Sequence, residues 1–389
     1  MRDMALGKTP KDIDLATDAL PHEIEALFER TLAVGKAFGT IVVLVGEVES
    51  QVTTFRAEHG HYDGRRPSEV RFSKRLEEDA ARRDFTCNAL YLDPLTDELA
   101  DPCGGWSDLS AGVLRAIGDP RERFAEDGLR LVRMARLAAA HALTPEPNTF
   151  AAARERLDAL RGVSAERRLS ELTLIFERPA PARALEILER SGVLSVLCPG
   201  IDELRAGSPP GWSVLTRLAI PVGAATGFAV LFDPLAGSLE GLDQRQQLAE
   251  RLLSALRPSR ALFDDVRALW RLQRELLDTP GRPALSRSAA IRLARERCWP
   301  LAKALLLARA QPPSRARQEL ERWTEGLSDE ELRPQPLLAS ADLAAAGVAR
   351  GPRWGALLAR SEELQLDGVL KTREQALEWL SARAQDGQA

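Results

Sequence analysis

The hydrophobic pattern of the chain changes after residue 109. Residues 40–49 (TIVVLVGEVE) and 50–56 (SQVTTFR) are rich in β-branched side chains, which predicts two strands joined by a turn. Residues 20–31 (LPHEIEALFERT) carry apolar side chains at helical spacing. With a first strand at residues 12–14, the predicted order is strand, helix, strand, strand. The polar, glycine-bearing residues 60–69 (GHYDGRRPSE) predict a mobile loop.

The remainder of the chain has a helical pattern interrupted by proline and glycine. Residues 124–140 (FAEDGLRLVRMARLAAA) and 164–177 (SAERRLSELTLIFE) illustrate it. No repeat of fixed period is present in the sequence. The pattern therefore predicts an α/β region at the N-terminus followed by a long helical region.

Composition excludes several classes of protein. The chain has 389 residues, of which 44% are apolar and 28% charged, as expected for a globular protein of more than one domain. No apolar run approaches the roughly 20 residues that span a bilayer, and no leader pattern directs secretion, so we expect a cytoplasmic protein. The four cysteines are scattered, which predicts reduced thiols and neither a zinc site nor disulfides.

Arginines are concentrated in two places, although the net charge is −4. Between Arg251 and Arg297 there are 11 arginines and 5 acidic residues, a local net charge of +6. A second basic cluster lies between Arg65 and Arg83. Each cluster is compatible with solvated helix faces and with arginines that bind phosphate.

Asp12 and Asp14 carry the first candidate chemistry. Residues i and i+2 of a strand project from the same face, so the two carboxylates would lie together. Two such carboxylates suit Mg²⁺, which prefers oxygen ligands together with substrate phosphates. The alternative is a solvated acidic turn, in which both side chains face water.

Five motifs in order resemble the class II tRNA nucleotidyltransferase and poly(A) polymerase family, within the polymerase β superfamily. They are RDMALGKTPKDIDLATDALP (2–21), HYDGRRPSEVRFSKRLEEDAARRDFTCNAL (61–90), DPCGGWSDL (101–109), RFAEDGLRLVRMAR (123–136) and SAERRLSEL (164–172). Residues 336–377 are also similar to the C-terminal segment of bacterial CCA-adding enzymes. The resemblance covers nearly the whole chain.

The resemblance implies a polymerase β-like α/β head that lacks the family's first strand, followed by an all-α neck, body and tail. We expect a catalytic head at 1–110, a neck with the nucleotide-selecting motif at 111–178, a body at 179–310 and a tail at 311–389. The body resembles a phosphohydrolase domain of the His-Asp type. All four histidines precede it, so a second metal site is not expected there, and we expect the body to support tRNA.

The resemblance also assigns roles to residues of the head. Asp12 and Asp14 would hold two Mg²⁺ ions, which activate the 3′-hydroxyl of the RNA and bind the triphosphate. Arg83 would face the triphosphate, Asp84 would anchor its motif as part of the catalytic set, and Asn88 would contact the ribose. A structural, salt-bridged segment is the alternative for this motif.

Asp127 and Arg130 are three residues apart, so on a helix they would be neighbours on one face. The carboxylate accepts from the exocyclic amine of C or A, and the guanidinium donates to the adjacent ring nitrogen. U and G present the reverse pattern and would be rejected. The resemblance implies that this pair selects CTP and ATP, that Glu126 orients Arg130 and that Arg133 reaches phosphate or ribose. A surface ion pair is the alternative.

The chain departs from the family at its start and on its predicted third strand. The family has a strand and a Gly-Gly pair before the residues that correspond to Arg2 and Asp3, and the resemblance implies that Arg2 binds the nucleotide. We expect either that the gene begins upstream of Met1 or that part of the nucleotide site has been lost. Gln51 stands where the family usually has a third carboxylate, and Glu49, on the same strand face, is a candidate to compensate.

The resemblance implies Mg²⁺-dependent, template-independent addition of CCA to the tRNA 3′ end from CTP and ATP, with release of pyrophosphate. The alternatives are a poly(A) polymerase, a CC- or A-adding enzyme, a weakened homologue that binds tRNA without catalysis, and a nucleotidyltransferase acting on small molecules. The sequence does not separate the first two from CCA addition, and it leaves the oligomeric state open.

Overall fold

The computed structural model describes residues 1–10, 13–62, 67–205, 211–236, 241–276, 284–309 and 315–385. They form two compact units, the first of Met1–Thr216 with Pro221–Phe263 and the second of Arg217–Ile220 with Asp264–Ala389. The division into head, neck, body and tail at residues 110, 178 and 310 stays a prediction.

A mixed four-stranded sheet forms the N-terminal part of the first unit. The elements of this part are α1 Arg2–Ala5, β1 Asp14–Thr17, α2 Pro21–Leu27, β2 Thr31–Leu32, β3 Thr40–Val45 and β4 Val48–Thr54. The strands lie in the order β1-β4-β3-β2, with β1 parallel to β4 and the other neighbours antiparallel. The helix and the two long strands predicted from the sequence are confirmed.

Alternation along the strands gives the sheet two faces, one of which packs on α2. Ile41, Val43 and Val52 are buried against Ile24 of α2. The residues between them project from the opposite face, because successive side chains of a strand alternate. Gln51 of β4 therefore lies on the face away from α2.

The prediction of a loop at residues 60–69 is wrong for residues 60–62 and 67–69, which belong to strands. Strands β5 Arg56–Tyr62 and β6 Pro67–Phe72 form an antiparallel pair, and residues 63–66 lie outside the described residues. Polar and glycine residues predicted a loop here, but backbone pairing between the two strands holds the chain extended, because β-propensity is readily overridden by context.

Helices and two-residue strands follow β6 and lead into the helical region. They are α3 Leu76–Ala81, β7 Tyr91–Leu92, β8 Leu99–Ala100, α4 Gly105–Ser110, β9 Val113–Leu114, α5 Pro120–Glu126, α6 Leu129–Ala140, β10 Thr144–Pro145, α7 Pro147–Glu155, α8 Ala165–Glu177 and α9 Pro181–Arg190. Helix α6 is the centre of this region, since Leu131, Val132, Met134 and Ala135 are all fully buried. It packs against α8 and α9.

The rest of the described chain is helical, as predicted. Its helices are α10 Val193–Leu197, α11 Ile201–Leu204, α12 Ala224–Leu231, α13 Leu242–Ala255, α14 Arg260–Glu275, α15 Arg287–Ala294, α16 Trp299–Ala308, α17 Arg315–Thr324, α18 Asp329–Leu332, α19 Ser340–Ala345, α20 Pro352–Leu366 and α21 Arg373–Gln385. Turns of 3-10 helix occur at Lys36–Phe38, Thr86–Asn88, Leu157–Gly162 and Gly211–Arg217.

The four cysteines are free thiols, as the sequence predicted. Among the described residues, no helix combines the length and the apolar character that crossing a membrane requires.

Candidate nucleotide-binding site

Asp14 begins strand β1 with its side chain exposed, and Asp12 lies outside the described residues. In the parallel ladder Asp14 stands beside Gln51 of β4, so both project from the face of the sheet that points away from α2. The Asp14 carboxylate and the carbonyl oxygen of the Gln51 amide are oxygen ligands on that face, and oxygen is the ligand that Mg²⁺ prefers. The residues present therefore fit a hard divalent cation.

Glu49 lies two residues before Gln51 on β4, on the same face, and is exposed. Within the described residues, no group of three or more acidic, histidine or cysteine side chains is arranged to hold a metal. A role for Glu49 as the third carboxylate stays a prediction.

Asp79 is a buried carboxylate that binds Arg82 and Arg83, the first two residues of the RRDFTCNAL segment (82–90), which we call the head motif. Asp79 exposes only 1% of its surface. It lies in α3, one turn before Arg82 and Arg83. Arg82 Nη2 lies 2.6 Å from one carboxylate oxygen, and Arg83 Nη2 lies 3.2 Å from the other, which also accepts from the Tyr91 hydroxyl at 2.8 Å. Burial raises the pKa of Asp79, but the two guanidinium groups outweigh it and lower that pKa below its ordinary value.

Arg83 is fixed in place on several sides. Its Nη1 donates to the carbonyl oxygen of Asn88 at 2.9 Å, and its guanidinium lies 4.8 Å from the centre of the Tyr91 ring. A guanidinium held this firmly loses little entropy when it binds an anion.

Asp84 and Asn88 connect the head motif to the N-terminal helix. Asp84 Oδ1 accepts from the Phe85 backbone N–H at 2.9 Å and from Asn88 Nδ2 at 2.8 Å. The Asn88 Oδ1 atom in turn accepts from Arg2 Nη1 at 2.6 Å. Arg2 also pairs with Asp3 at 3.0 Å. The proposed ribose contact of Asn88 stays a prediction.

A chain of buried charges continues from Asp84 into the helical region. Arg133 of α6 donates to Asp84 Oδ2 from Nε at 2.8 Å and lies 3.4 Å from Glu171 of α8. Glu171 also accepts from Arg136 at 2.7 Å. Burial raises the pKa of Asp84, but Arg133 and the Asn88 amide lower it to about 2. The carboxylate is therefore ionised at every physiological pH, and it holds Arg133 against the head motif.

The prediction that Asp127 and Arg130 share one face of a helix is wrong. Helix α5 ends at Glu126, Asp127 is extended (φ −147°, ψ 104°), and α6 begins at Leu129. Gly128, next to the break, packs closely against the Leu157–Gly162 turn, where a Cβ atom would lie 2.2 Å from the carbonyl oxygen of Ala159. Asp127 caps α6 instead, since its Oδ1 accepts from the Leu129 backbone N–H at 3.0 Å.

Asp127 and Arg130 are held by different partners. Asp127 Oδ2 accepts from Arg167 Nη2 at 2.6 Å, across 40 residues of sequence. Arg130 donates to Glu126 from Nη1 and to the carbonyl oxygen of Arg82 from Nη2 at 3.1 Å. The Glu126–Arg130 contact has the partners expected from the sequence. The Arg130 backbone N–H donates to the Asp127 carbonyl oxygen at 3.0 Å, but the hydrogen bonds of the two side chains go to other residues.

Several residues of this site were not singled out from the sequence. They are Asp79, Arg123, Arg167 and Glu171. Arg167 and Glu171 lie within the SAERRLSEL motif and are four residues apart, so they share one face of α8. That spacing was a usable signal, but their partners in the α5–α6 region could not be identified from it.

Two segments of the chain match known families. Residues 1–115 match the family described as Poly A polymerase head domain, and residues 142–205 match a probable RNA and SrmB-binding site of polymerase A. The head motif and the sheet lie in the first segment, and Arg167 and Glu171 lie in the second.

Curated relatives carry the name CCA-adding enzyme. The protein from Bacillus licheniformis is 43% identical over 202 residues, which are 52% of this chain and 50% of that protein. The protein from Bacillus subtilis is 41% identical over 188 residues, 48% of this chain and 47% of that protein. The chain spans about half the length of the curated relatives that it matches.

Solved structures extend the likeness over the whole chain. The Bacillus stearothermophilus CCA-adding enzyme in complex with CTP has a TM-score of 0.76 and 25% identity, covering 100% of this chain and 92% of that one. The Thermotoga maritima CCA-adding enzyme complexed with tRNA-CCA has a TM-score of 0.63, covering 98% and 89%. At 19% identity, the second likeness supports the fold alone. In its head segment this chain is similar to the poly(A) polymerase head family, and in sequence and fold it is similar to CCA-adding enzymes.

Proposed function

We propose that the chain adds CCA to the 3′ end of tRNA from CTP and ATP, without a nucleic-acid template and with release of pyrophosphate. The relatives named CCA-adding enzyme and the similar structure that holds CTP support this reaction. Because tRNA is the proposed substrate, we also propose a cytoplasmic location.

One contact carries the proposal. Arg130, the proposed base-selecting guanidinium, donates from Nη2 to the carbonyl oxygen of Arg82 at 3.1 Å. The next residue, Arg83, is the proposed triphosphate contact. A nucleotide whose phosphates lie at Arg83 would therefore have its base within reach of the α5–α6 region, which is the arrangement that positioning catalysis requires.

The hydrogen-bonding capacity left at Arg130 suits a base. A guanidinium has five N–H donors. Arg130 uses three of them, for Glu126 and for the carbonyl oxygens of Arg123 and Arg82. Within the described part of the chain two donors remain, and one would donate to the ring nitrogen of C or A and the other to the O2 carbonyl of C.

Asp127 supplies the complementary acceptor. Each of its oxygens accepts one hydrogen bond, from Leu129 and from Arg167, and a carboxylate oxygen can accept two. The free acceptor positions would receive the exocyclic amine of C or A. U and G lack an amine at that position, so they would leave Asp127 unpaired, at a cost of about 1–3 kcal/mol.

Mg²⁺ is the proposed cofactor. Asp14 and, by resemblance, Asp12 would hold it, and the ion would supply activation of the 3′-hydroxyl and neutralisation of the phosphates. Arg83 would bind the triphosphate from the side that Asp79 does not occupy. Gln51 brings no charge to this face, so we expect Gln51→Glu to raise the rate of addition.

The name of the head family favours one second candidate, a poly(A) polymerase. The two activities share the chemistry of the head and differ in the number and identity of nucleotides added. Product length therefore separates them.

The test uses tRNA that lacks its 3′ CCA, with Mg²⁺ and labelled CTP, ATP or both, resolved at single-nucleotide length. We expect two C and then one A. Asp14→Asn should abolish addition, whereas Asp18→Asn, an exposed aspartate just beyond the same strand, should leave it unchanged. Long A tails would favour a poly(A) polymerase, and no addition by the unmodified chain would reject both activities.

A further inference from the structure

Glu126 binds two arginines at once. Its Oε1 accepts from Arg123 Nη2 at 2.9 Å, and its Oε2 accepts from Arg130 Nη1. The three side chains expose only 17%, 16% and 11% of their surface in the order Arg123, Glu126, Arg130. We call these three residues the Glu126 clamp.

Both arginines of the Glu126 clamp also donate to the backbone at the end of α3. Arg123 Nη1 lies 3.0 Å from the carbonyl oxygen of Ala81 and 3.4 Å from that of Arg83. Arg130 Nη2 lies 3.1 Å from the carbonyl oxygen of Arg82, which lies between them. Three consecutive carbonyl groups at a helix C-terminus, where acceptors lack partners within the helix, are thus satisfied by two cations.

The segment that the Glu126 clamp holds is the one proposed to contact the triphosphate. Arg83 belongs to it, and Asp79 fixes the Arg83 side chain from inside α3. The proposed base-selecting group and the proposed phosphate-binding group are therefore joined through one carboxylate and a few hydrogen bonds, with no flexible linker between them.

We infer that Arg123 is a specificity-determining positioning residue. By holding Glu126 and the carbonyl groups of Ala81 and Arg83 together, it fixes the distance between Arg130 and the phosphate-binding segment. The base of a bound nucleotide then meets Arg130 at a fixed distance from the segment that binds its phosphates. This inference rests on the proposed function of the same site, and Arg123 itself touches no reacting atom.

The geometry requires a guanidinium and not simply a positive charge. Arg123 donates in two directions, to Glu126 from Nη2 and to two carbonyl groups from Nη1. The planar fork of arginine has these directions built in, whereas a lysine ammonium is a point charge on a flexible stem. A purely structural ion pair would tolerate lysine. A positioning role would not.

The test measures the dissociation constants of CTP and UTP by isothermal titration calorimetry with the full chain, R123K, R123Q and R121Q. Arg121 is the matched control, because it lies on the same helix but pairs with Glu155 at the surface, where both side chains are 51% exposed. We expect the full chain to prefer CTP. R123K and R123Q should lower the ratio of the UTP to the CTP constant about tenfold, the effect of one misplaced hydrogen bond, and R121Q should preserve it.

A ratio that stays within about twofold of the unmodified chain in R123K would overturn the inference, even if both nucleotides bound more weakly. Equal binding of CTP and UTP by the unmodified chain would overturn it as well. Extension of tRNA by the same preparation reports separately on the proposed function. No addition together with an Arg123-dependent CTP preference would reject the proposed function alone, and CCA addition with an Arg123-independent preference would reject the inference alone.

Discussion

Arginine–carboxylate pairs with the same spacing differ sharply between the candidate site and the second compact unit. Asp79 and Arg82 are three residues apart, 2.6 Å from each other, and expose 1% and 17% of their side chains. Arg360 and Glu363 in the second unit are also three apart and 2.7 Å from each other, but expose 56% and 32%. The spacing and the distance are nearly identical, although the order of acid and arginine is reversed. Burial differs, and the buried Asp79 also has Arg83 and Tyr91 as partners.

Burial changes what each pair does. A surface pair contributes about 0–1 kcal/mol and can re-form in many geometries. A buried pair need not add stability over an apolar pair, but removing one partner leaves a desolvated charge, which costs several kcal/mol. The buried pairs therefore hold side chains in fixed positions, which is what selection of a nucleotide requires, whereas the surface pairs mainly keep helices solvated.

The largest expected effect follows removal of the buried anchor. Asp79→Ala deletes the acceptor that Arg82, Arg83 and the Tyr91 hydroxyl share. We expect the free energy of unfolding to fall by about 3–5 kcal/mol, measured by urea denaturation. A fall of less than about 1 kcal/mol would show that this carboxylate behaves like a surface group.

Acid should reduce the free energy of unfolding by protonating Asp84. The pKa of Asp84 is lowered to about 2, so its contribution is complete above the ordinary carboxyl pKa and is lost as the pH falls from about 4 to about 2. The loss should total about 2 kcal/mol. The difference in unfolding free energy between the unmodified chain and Asp84→Asn should shrink over that interval. A difference that stays constant with pH would contradict the assigned pKa.

A smaller effect, on nucleotide preference, is expected when Arg167, the partner of Asp127, is replaced. Arg167→Gln removes the cation that holds Asp127 Oδ2. We expect the preference for CTP over UTP to fall about tenfold, measured from kcat/KM for the first addition. Glu166→Gln on the same helix is the control, because its pair with Arg257 is exposed. Equal preferences in the two variants would show that Arg167 does not position Asp127.

The smallest effect is expected in the second unit. Glu363→Ala breaks the surface pair with Arg360 and should change the free energy of unfolding by less than about 0.5 kcal/mol. Measured beside Asp79→Ala, it compares an exposed pair with a buried carboxylate that has several partners. A loss that matched that of Asp79→Ala would remove the distinction between the two regions.

Local patterns in the sequence were enough to predict local structure. β-Branched side chains over residues 40–56 predicted β3 and β4, and helical spacing predicted α2 and α8, because each pattern is set by neighbours within one element. The partners Glu126 and Arg130 were also accessible, since they are four residues apart.

Long-range contacts could not be predicted in the same way. Beside the helix break at Asp127, Gly128 approaches the Ala159 carbonyl, and Asp127 pairs with Arg167. Nothing in the local pattern shows either contact. The pairs Asp127–Arg167 and Asp84–Arg133 span 40 and 49 residues. Motif resemblance brought these segments together as parts of one site, but only the fold gives each carboxylate its arginine.

The most direct test of the account supplies all four nucleoside triphosphates at equal concentration to tRNA that lacks CCA and sequences the 3′ ends. If side chains held by the buried pairs select the nucleotide, the products end in C, C and A, with U and G rare at each position. Ends that contain U or G as often as C and A would contradict selection by these side chains.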